Sequence, residues 1–111
     1  MYLILEICRE EGVGGGESGP AVFSAAGGTI GRHPANDWVL ADPHVSARHA
    51  EIRFIGSKYF LVDSQSSNGV IVNGAQLHPG ELYPLKNGDA IFIDPFRILA
   101  RISAQRPADA P

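Results

Sequence analysis

Turn-forming residues recur along this chain at intervals too short for any long helix. Thirteen glycines and eight prolines fall within 111 residues, most of them between short apolar runs. Gly27-Gly28, Gly56-Ser57, Asn73-Gly74, Pro79-Gly80 and Asn87-Gly88 each stand where one run ends and another begins. Glycine supplies backbone conformations that other residues resist, and proline removes a donor and fixes φ, so such pairs punctuate structure. The stretches between them are a few residues long and rich in Val, Ile, Leu, Phe and Tyr, which predicts short β-strands.

The period of the apolar residues agrees. In Tyr2 to Arg9, Leu3, Leu5 and Ile7 share one face, with Tyr2, Ile4, Glu6 and Cys8 on the other. In Arg48 to Ile55, Ala50, Ile52 and Phe54 alternate with Glu51 and Arg53; in Phe96 to Ile102, Phe96, Ile98, Ala100 and Ile102 oppose Arg97 and Arg101. Further strands are predicted at Ala21 to Ser24, Thr29 to Arg32, Trp38 to Leu40, Lys58 to Asp63, Val70 to Val72, Gln76 to His78, Leu82 to Leu85 and Ala90 to Ile93. Gly56-Ser57 and Asn73-Gly74 read as two-residue hairpin turns. Some ten or eleven short strands of this kind predict an all-β fold, two antiparallel sheets packed as a β-sandwich.

One domain is expected, over residues 1–103. Residues 104–111, Pro- and Ala-rich and unpatterned, read as a tail or the start of a linker. Glu10 to Pro20 contains Gly14-Gly15-Gly16 but lacks the Gly-Lys-Ser/Thr ending of a phosphate-binding P-loop, and no helical pattern follows it. It is expected to be a mobile hairpin loop.

The formal net charge of -3 gives no global field to attract nucleic acid or an anionic membrane. Any anion must be held locally, by a few placed donors. A single cysteine, Cys8, excludes an internal disulfide and a multi-cysteine zinc site. No apolar run approaches the roughly 20 residues of a membrane-spanning helix, and the N-terminus lacks signal-peptide character. A cytoplasmic location, without membrane insertion, is the expectation. His33, His44 and His49 with Asp37 and Asp42 are the candidate metal cluster, but their spacing fits no recognised metal motif, so no metal is expected. No nucleophile elbow or paired acid and base is present, so no catalytic residue and no cofactor is assigned.

What remains is a set of small polar residues in a fixed order: Gly31-Arg32, Ser46-Ala47-Arg48-His49, Ser67-Asn68-Gly69, Asn73-Gly74 and Gly88-Asp89. Most lie where a strand should meet a loop. Two arginines and two serines distributed over several turns suit one anion bound by several loops. Arginine offers a planar fork of donors that never deprotonates, matched to phosphate oxygens. A phosphate ester supplies nearly two charges and three acceptors.

In this order and spacing, from about Thr29 to Ile93, the chain resembles a forkhead-associated (FHA) domain, a β-sandwich that binds phosphothreonine peptides. The resemblance implies that Arg32, Ser46 and Ser67 contact the phosphate and that Asn68 hydrogen-bonds to the ligand backbone. Arg48 either joins the phosphate contacts or pairs with a neighbouring carboxylate. Gly31, His49, Gly69 and Asn73 are expected to support the site, His49 by bonding between loops. The threonine methyl would fill a small pocket, where about 1 kcal/mol of burial is enough for a several-fold preference over phosphoserine. Ala47 departs from the polar or basic residue some relatives carry, which shifts affinity onto Arg32 and Arg48. The implied partners are a phosphothreonine-bearing protein and the serine/threonine kinase that marks it. Residues 33–44 and 63–73, with His44 and Gln65 among them, would read the flanking ligand residues. Bacterial relatives of this style include type VI secretion-associated modules, a narrower expectation. The alternative is a phosphate-independent scaffold assembling through its sheet surfaces.

Overall fold

The computed structural model describes residues 1–8 and 20–106; Arg9, residues 10–19 of the loop predicted from Glu10 to Pro20, and the last residues of the predicted tail, 107–111, lie outside them. Eleven strands follow one another in the chain: β1 (Tyr2–Ile7), β2 (Ala21–Phe23), β3 (Gly28–Gly31), β4 (Trp38–Val39), β5 (Ala50–Ile55), β6 (Lys58–Asp63), β7 (Ile71–Val72), β8 (Ala75–Gln76), β9 (Tyr83–Pro84), β10 (Ala90–Ile93) and β11 (Phe96–Ser103). They form a six-stranded sheet, β2-β1-β11-β10-β7-β8, and a five-stranded sheet, β4-β3-β5-β6-β9. No helix occurs among the described residues, and none is long and apolar enough to cross a membrane.

The pairing is antiparallel except between β3 and β4, where Ile30 lies opposite Trp38 and Gly31 opposite Val39. The central pair of the first sheet runs Tyr2 opposite Ser103 to Ile7 opposite Ile98. That of the second runs Ala50 opposite Asp63 to Ile55 opposite Lys58 across the Gly56-Ser57 turn. Both residues of that turn have positive φ, 57° and 66°, as do Asn73 and Gly74 at 50° and 84°. Those values match the twist of the strands they join.

The core lies between the sheets. Leu3, Leu5, Ile93 and Ile98 from the first meet Ile30, Ile52, Tyr59 and Leu61 from the second. The predicted alternation holds in β5 and β11, whose apolar face enters or packs against this core. In β1 it is incomplete. Ile4, on the opposite face, is also buried, at 2 % exposure. β1 is an interior strand, and Ile4 is flanked by Val22 of β2 and Arg101 of β11. A residue flanked on both sides by paired strands has less solvent within reach than one on an edge strand.

Three connections emerge at the ends of β3 and β6 and at the start of β5: residues 32–37, 40–49 and 64–70. The polar set is concentrated there.

Candidate functional site

Backbone bonds zip two of these loops together. Arg32 N–H donates to the Ser46 carbonyl at 3.0 Å, and His33 N–H to that of Ala47 at 3.2 Å. Gly31 permits this approach, because a Cβ there would stand 2.3 Å from the Ala47 carbonyl oxygen. Asn36 adds a clamp. Its Nδ2 donates to the His33 carbonyl at 2.9 Å and the Ala47 carbonyl at 2.7 Å.

Arg32 is exposed, and its guanidinium is anchored by Nε donating to the Val45 carbonyl at 2.9 Å. Its terminal amino groups have no partner among the described residues. An anchored fork with free ends is pre-oriented for an oxyanion.

The third loop joins through Ser46 and His49. Ser46 Oγ accepts the Ser67 N–H at 3.0 Å, which leaves the Ser46 hydroxyl proton free to donate outward. His49 is wholly buried, at 0 % exposure. Its Nδ1 accepts the Ser46 N–H at 3.0 Å, which fixes the ring proton on Nε2; Nε2 then donates to the Gly69 carbonyl at 2.8 Å. One imidazole therefore spans the 40–49 and 64–70 loops. Asn68 Nδ2 donates to the His44 carbonyl at 2.7 Å, which keeps Asn68 Oδ1 available to a ligand N–H. Ser67 and Asn68 are both exposed.

The 64–70 loop is shaped by residues that the polar pattern did not single out. Buried Asp63 accepts the Ser66 N–H at 2.8 Å, and Ser66 Oγ accepts the Gly69 N–H at 3.0 Å. Asp63 and Ser66 thus build a side-chain-capped turn. Gly69 holds φ at 83° and faces Gln76, whose Nε2 would lie 2.8 Å from a Cβ there.

Arg32, Ser46, Ser67 and Asn68 are consequently gathered on three loops tied to one another. Two residues fall elsewhere. Arg48 borders a depression with His33, Ala35, Asn36 and Ala47, separate from the cleft that Arg32 shares with Ala41, Asp42 and Pro43. Asn73 stands at the other end of β7 from Gly69. Its Nδ2 donates to Asp89 at 3.0 Å, and its Oδ1 accepts the Ala90 N–H at 2.9 Å. It staples the β7–β8 hairpin to β10, and these bonds do not reach the three loops directly. Gly88-Asp89 belongs to that second cluster: Asp89 also accepts the Lys86 N–H at 2.8 Å.

Of the histidines and acids in the candidate metal cluster, only Asp42 and His44 pair with each other among the described residues, and Asp37 bonds to Thr29. Asp37 accepts the Thr29 N–H at 2.8 Å, and Asp42 meets His44 Nδ1 at 2.8 Å. No metal-holding group of His, Cys, Asp and Glu occurs among the described residues. The Asp42–His44 pair is the one electrostatic perturbation at the site. The His44 ring is pushed above its usual pKa, first by its hydrogen bond to Asp42 and then by the charges of Asp42 and Asp94. The Asp42 carboxyl is lowered, chiefly by the His44 backbone N–H, against a smaller opposing effect of burial.

Comparison with known proteins matches this arrangement. The oxoglutarate dehydrogenase inhibitor of Corynebacterium jeikeium is 46% identical over 69 residues, 62% of this chain and 46% of that protein. The glycogen accumulation regulator GarA of Mycolicibacterium smegmatis is 44% identical over 71 residues, 64% of this chain and 43% of that protein. The match thus spans less than half the length of these relatives. An FHA domain solved in an analysis of phosphothreonine-dependent FHA interactions superposes with a TM-score of 0.76 at 28% identity. It covers 95% of this chain and 100% of that one. The relatives are metabolic regulators by name, so the narrower type VI secretion expectation is not supported. The profile of the FHA domain matches residues 28–93, from β3 through β10, and the chain belongs to the FHA domain family.

Proposed function

We propose that this chain is a phosphothreonine-dependent interaction module, a binder rather than an enzyme, that recruits a partner marked by a serine/threonine kinase. The observation that carries the reading is Arg32: a guanidinium fixed through Nε, with its terminal amines unpaired, beside the free Ser46 hydroxyl proton. Arg32, Ser46 and Ser67 take the phosphate, and Asn68 takes the ligand backbone. The likeness to a phosphothreonine-dependent FHA domain supports the same assignment. Its setting is the cytoplasm, where ATP-dependent kinases work. Residues 1–103 act as the binding unit.

Titration calorimetry tests this directly. A phosphothreonine peptide is expected to bind in the micromolar range, about -8 kcal/mol, and its unphosphorylated form not at all. Arg32→Ala should abolish binding while leaving the melting temperature near that of the parent. Undiminished binding by Arg32→Ala would remove the assignment.

A second reading, a phosphate-independent scaffold, draws on a shallow groove along the six-stranded sheet that includes Ile71, Ala90, Phe92 and Leu99. A stable dimer by light scattering, with no binding across a phosphopeptide library, would favour it.

A further inference from the structure

Arg48 raises a question that the phosphate site leaves open. It is exposed and has no carboxylate partner among the described residues. Its depression, of about 260 Å³, is distinct from the cleft bordered by Arg32. Opposite it stands His33. The His33 Nδ1 accepts the Ala35 N–H at 3.0 Å, so its ring proton sits on Nε2, which has no partner among the described residues and remains a donor. The side chains between them offer no competing acceptor. Ala47 contributes a methyl group. Asn36 has its Nδ2 engaged by two carbonyls, and its Oδ1 is buried out of contact with solvent. No Asp or Glu among the described residues borders the depression. It is therefore a small concavity lined by Arg48, which has no carboxylate partner among the described residues, and by His33 with its imidazole N–H, with Ala47 adding no more than a methyl group to the lining.

We propose that this depression is a second anion subsite, taking an acidic side chain of the same ligand whose phosphothreonine lies at Arg32. The inference rests on the function proposed above. The shared chemistry is an oxyanion presented near the phosphothreonine, either a second phosphate or a Glu or Asp carboxylate. The backbone zipper from Arg32 and His33 to Ser46 and Ala47 joins the two sites in one rigid unit. Binding at both from one peptide is then an intramolecular gain rather than a second encounter.

The test uses phosphothreonine peptides with neutral flanks, and matched peptides carrying Glu or a second phosphothreonine at each flanking position in turn. Calorimetry gives the ratio of neutral-flank to acidic-flank Kd. In the parent, one position should raise affinity about fivefold with Glu and about tenfold with phosphate. The relative size of the two gains identifies which anion the subsite prefers. Arg48→Gln should return both ratios to near one. Ala47→Leu, which adds bulk to the lining without altering charge, should do the same; thermal melts verify that each variant is folded. Unchanged ratios in Arg48→Gln overturn the subsite. So does a parent that binds the neutral-flank peptide with no gain at any position, and in that case the function proposed above stands. A parent that binds no phosphothreonine peptide overturns both.

Discussion

Removing the His49 imidazole tests whether one buried side chain holds two binding loops together. His49→Ala deletes the acceptor for the Ser46 N–H and the donor to the Gly69 carbonyl, now 3.0 and 2.8 Å from the ring. The backbone of residue 49 keeps its place, because its N–H donates to Ile30 and its carbonyl accepts from Ser64. The loss is therefore confined to the strut. The Ser46 N–H lies in a half-buried position where water can replace the ring, so its loss costs about 1 kcal/mol. The Gly69 carbonyl is buried and costs about 2 kcal/mol when left without a donor. The emptied ring volume adds about 1 kcal/mol. The sum, about 4 kcal/mol, is a large share of the roughly 5–15 kcal/mol that holds a domain of this size together.

Urea unfolding measures that loss, and calorimetry at low temperature measures phosphopeptide binding by the molecules that remain folded. Binding should weaken by about tenfold or more, because Ser46 and the 67–69 segment lose their fixed spacing. His49→Phe separates packing from bonding. It fills the space without either hydrogen bond and should recover the cavity contribution alone. If His49→Phe matches the parent in both stability and affinity, the two bonds do not support the site and the reasoning fails.

Two other predictions concern bonds outside the His49 strut. Asn73→Ala removes the bonds to Asp89 and Ala90 and should lower stability by about 2 kcal/mol; because these bonds lie away from the three loops, phosphopeptide affinity should hold, and a parallel loss of affinity would return Asn73 to the site. The Asp42–His44 pair should appear in an NMR pH titration, with His44 titrating above its ordinary 6.5 and returning toward that value in Asp42→Asn. The sign follows from the two shifts. The raised His44 favours the fold fully below its ordinary pKa and loses that effect as pH rises through the higher folded value. The lowered Asp42 favours the fold above its ordinary 3.8 and loses it as pH falls through the lower folded value. The pair is intact between those limits, and a His44 midpoint unmoved by Asp42→Asn would refute it.

Much of this architecture is legible in the chain because strand structure writes itself at short range. Alternation in β5 and β11 and turn pairs such as Gly56-Ser57 depend on neighbours in sequence, so their signals survive without knowledge of the fold. Ile4 was not legible, since its burial depends on Val22 and Arg101 arriving from two other strands. The residues proposed to face the ligand could be named from the chain for a different reason. Arg32, Ser46, Ser67 and Asn68 carry the donors and acceptors suited to an anionic peptide, and their order in the chain is a family order. The residues that place them were less legible. Asn36, Asp63 and Ser66 act through bonds to backbone groups, and a single Asn, Asp or Ser in a loop looks the same whether it clamps or merely solvates.

That difference bears on how such a site is built. Of the bonds that join the three loops or brace them, most end on a backbone carbonyl or N–H: Arg32 Nε on Val45, Asn36 on Ala47, His49 on Gly69 across loops and on Ser46 within its own, and Asn68 on His44. A backbone acceptor is present whatever the side chain at that position. Ala47 can therefore replace a polar residue without loosening the loop, because it is the Ala47 carbonyl, not its side chain, that His33 and Asn36 hold. The frame and the ligand contacts are in this sense separable, which leaves side chains at positions such as 47 and 48 free to set what accompanies the phosphothreonine.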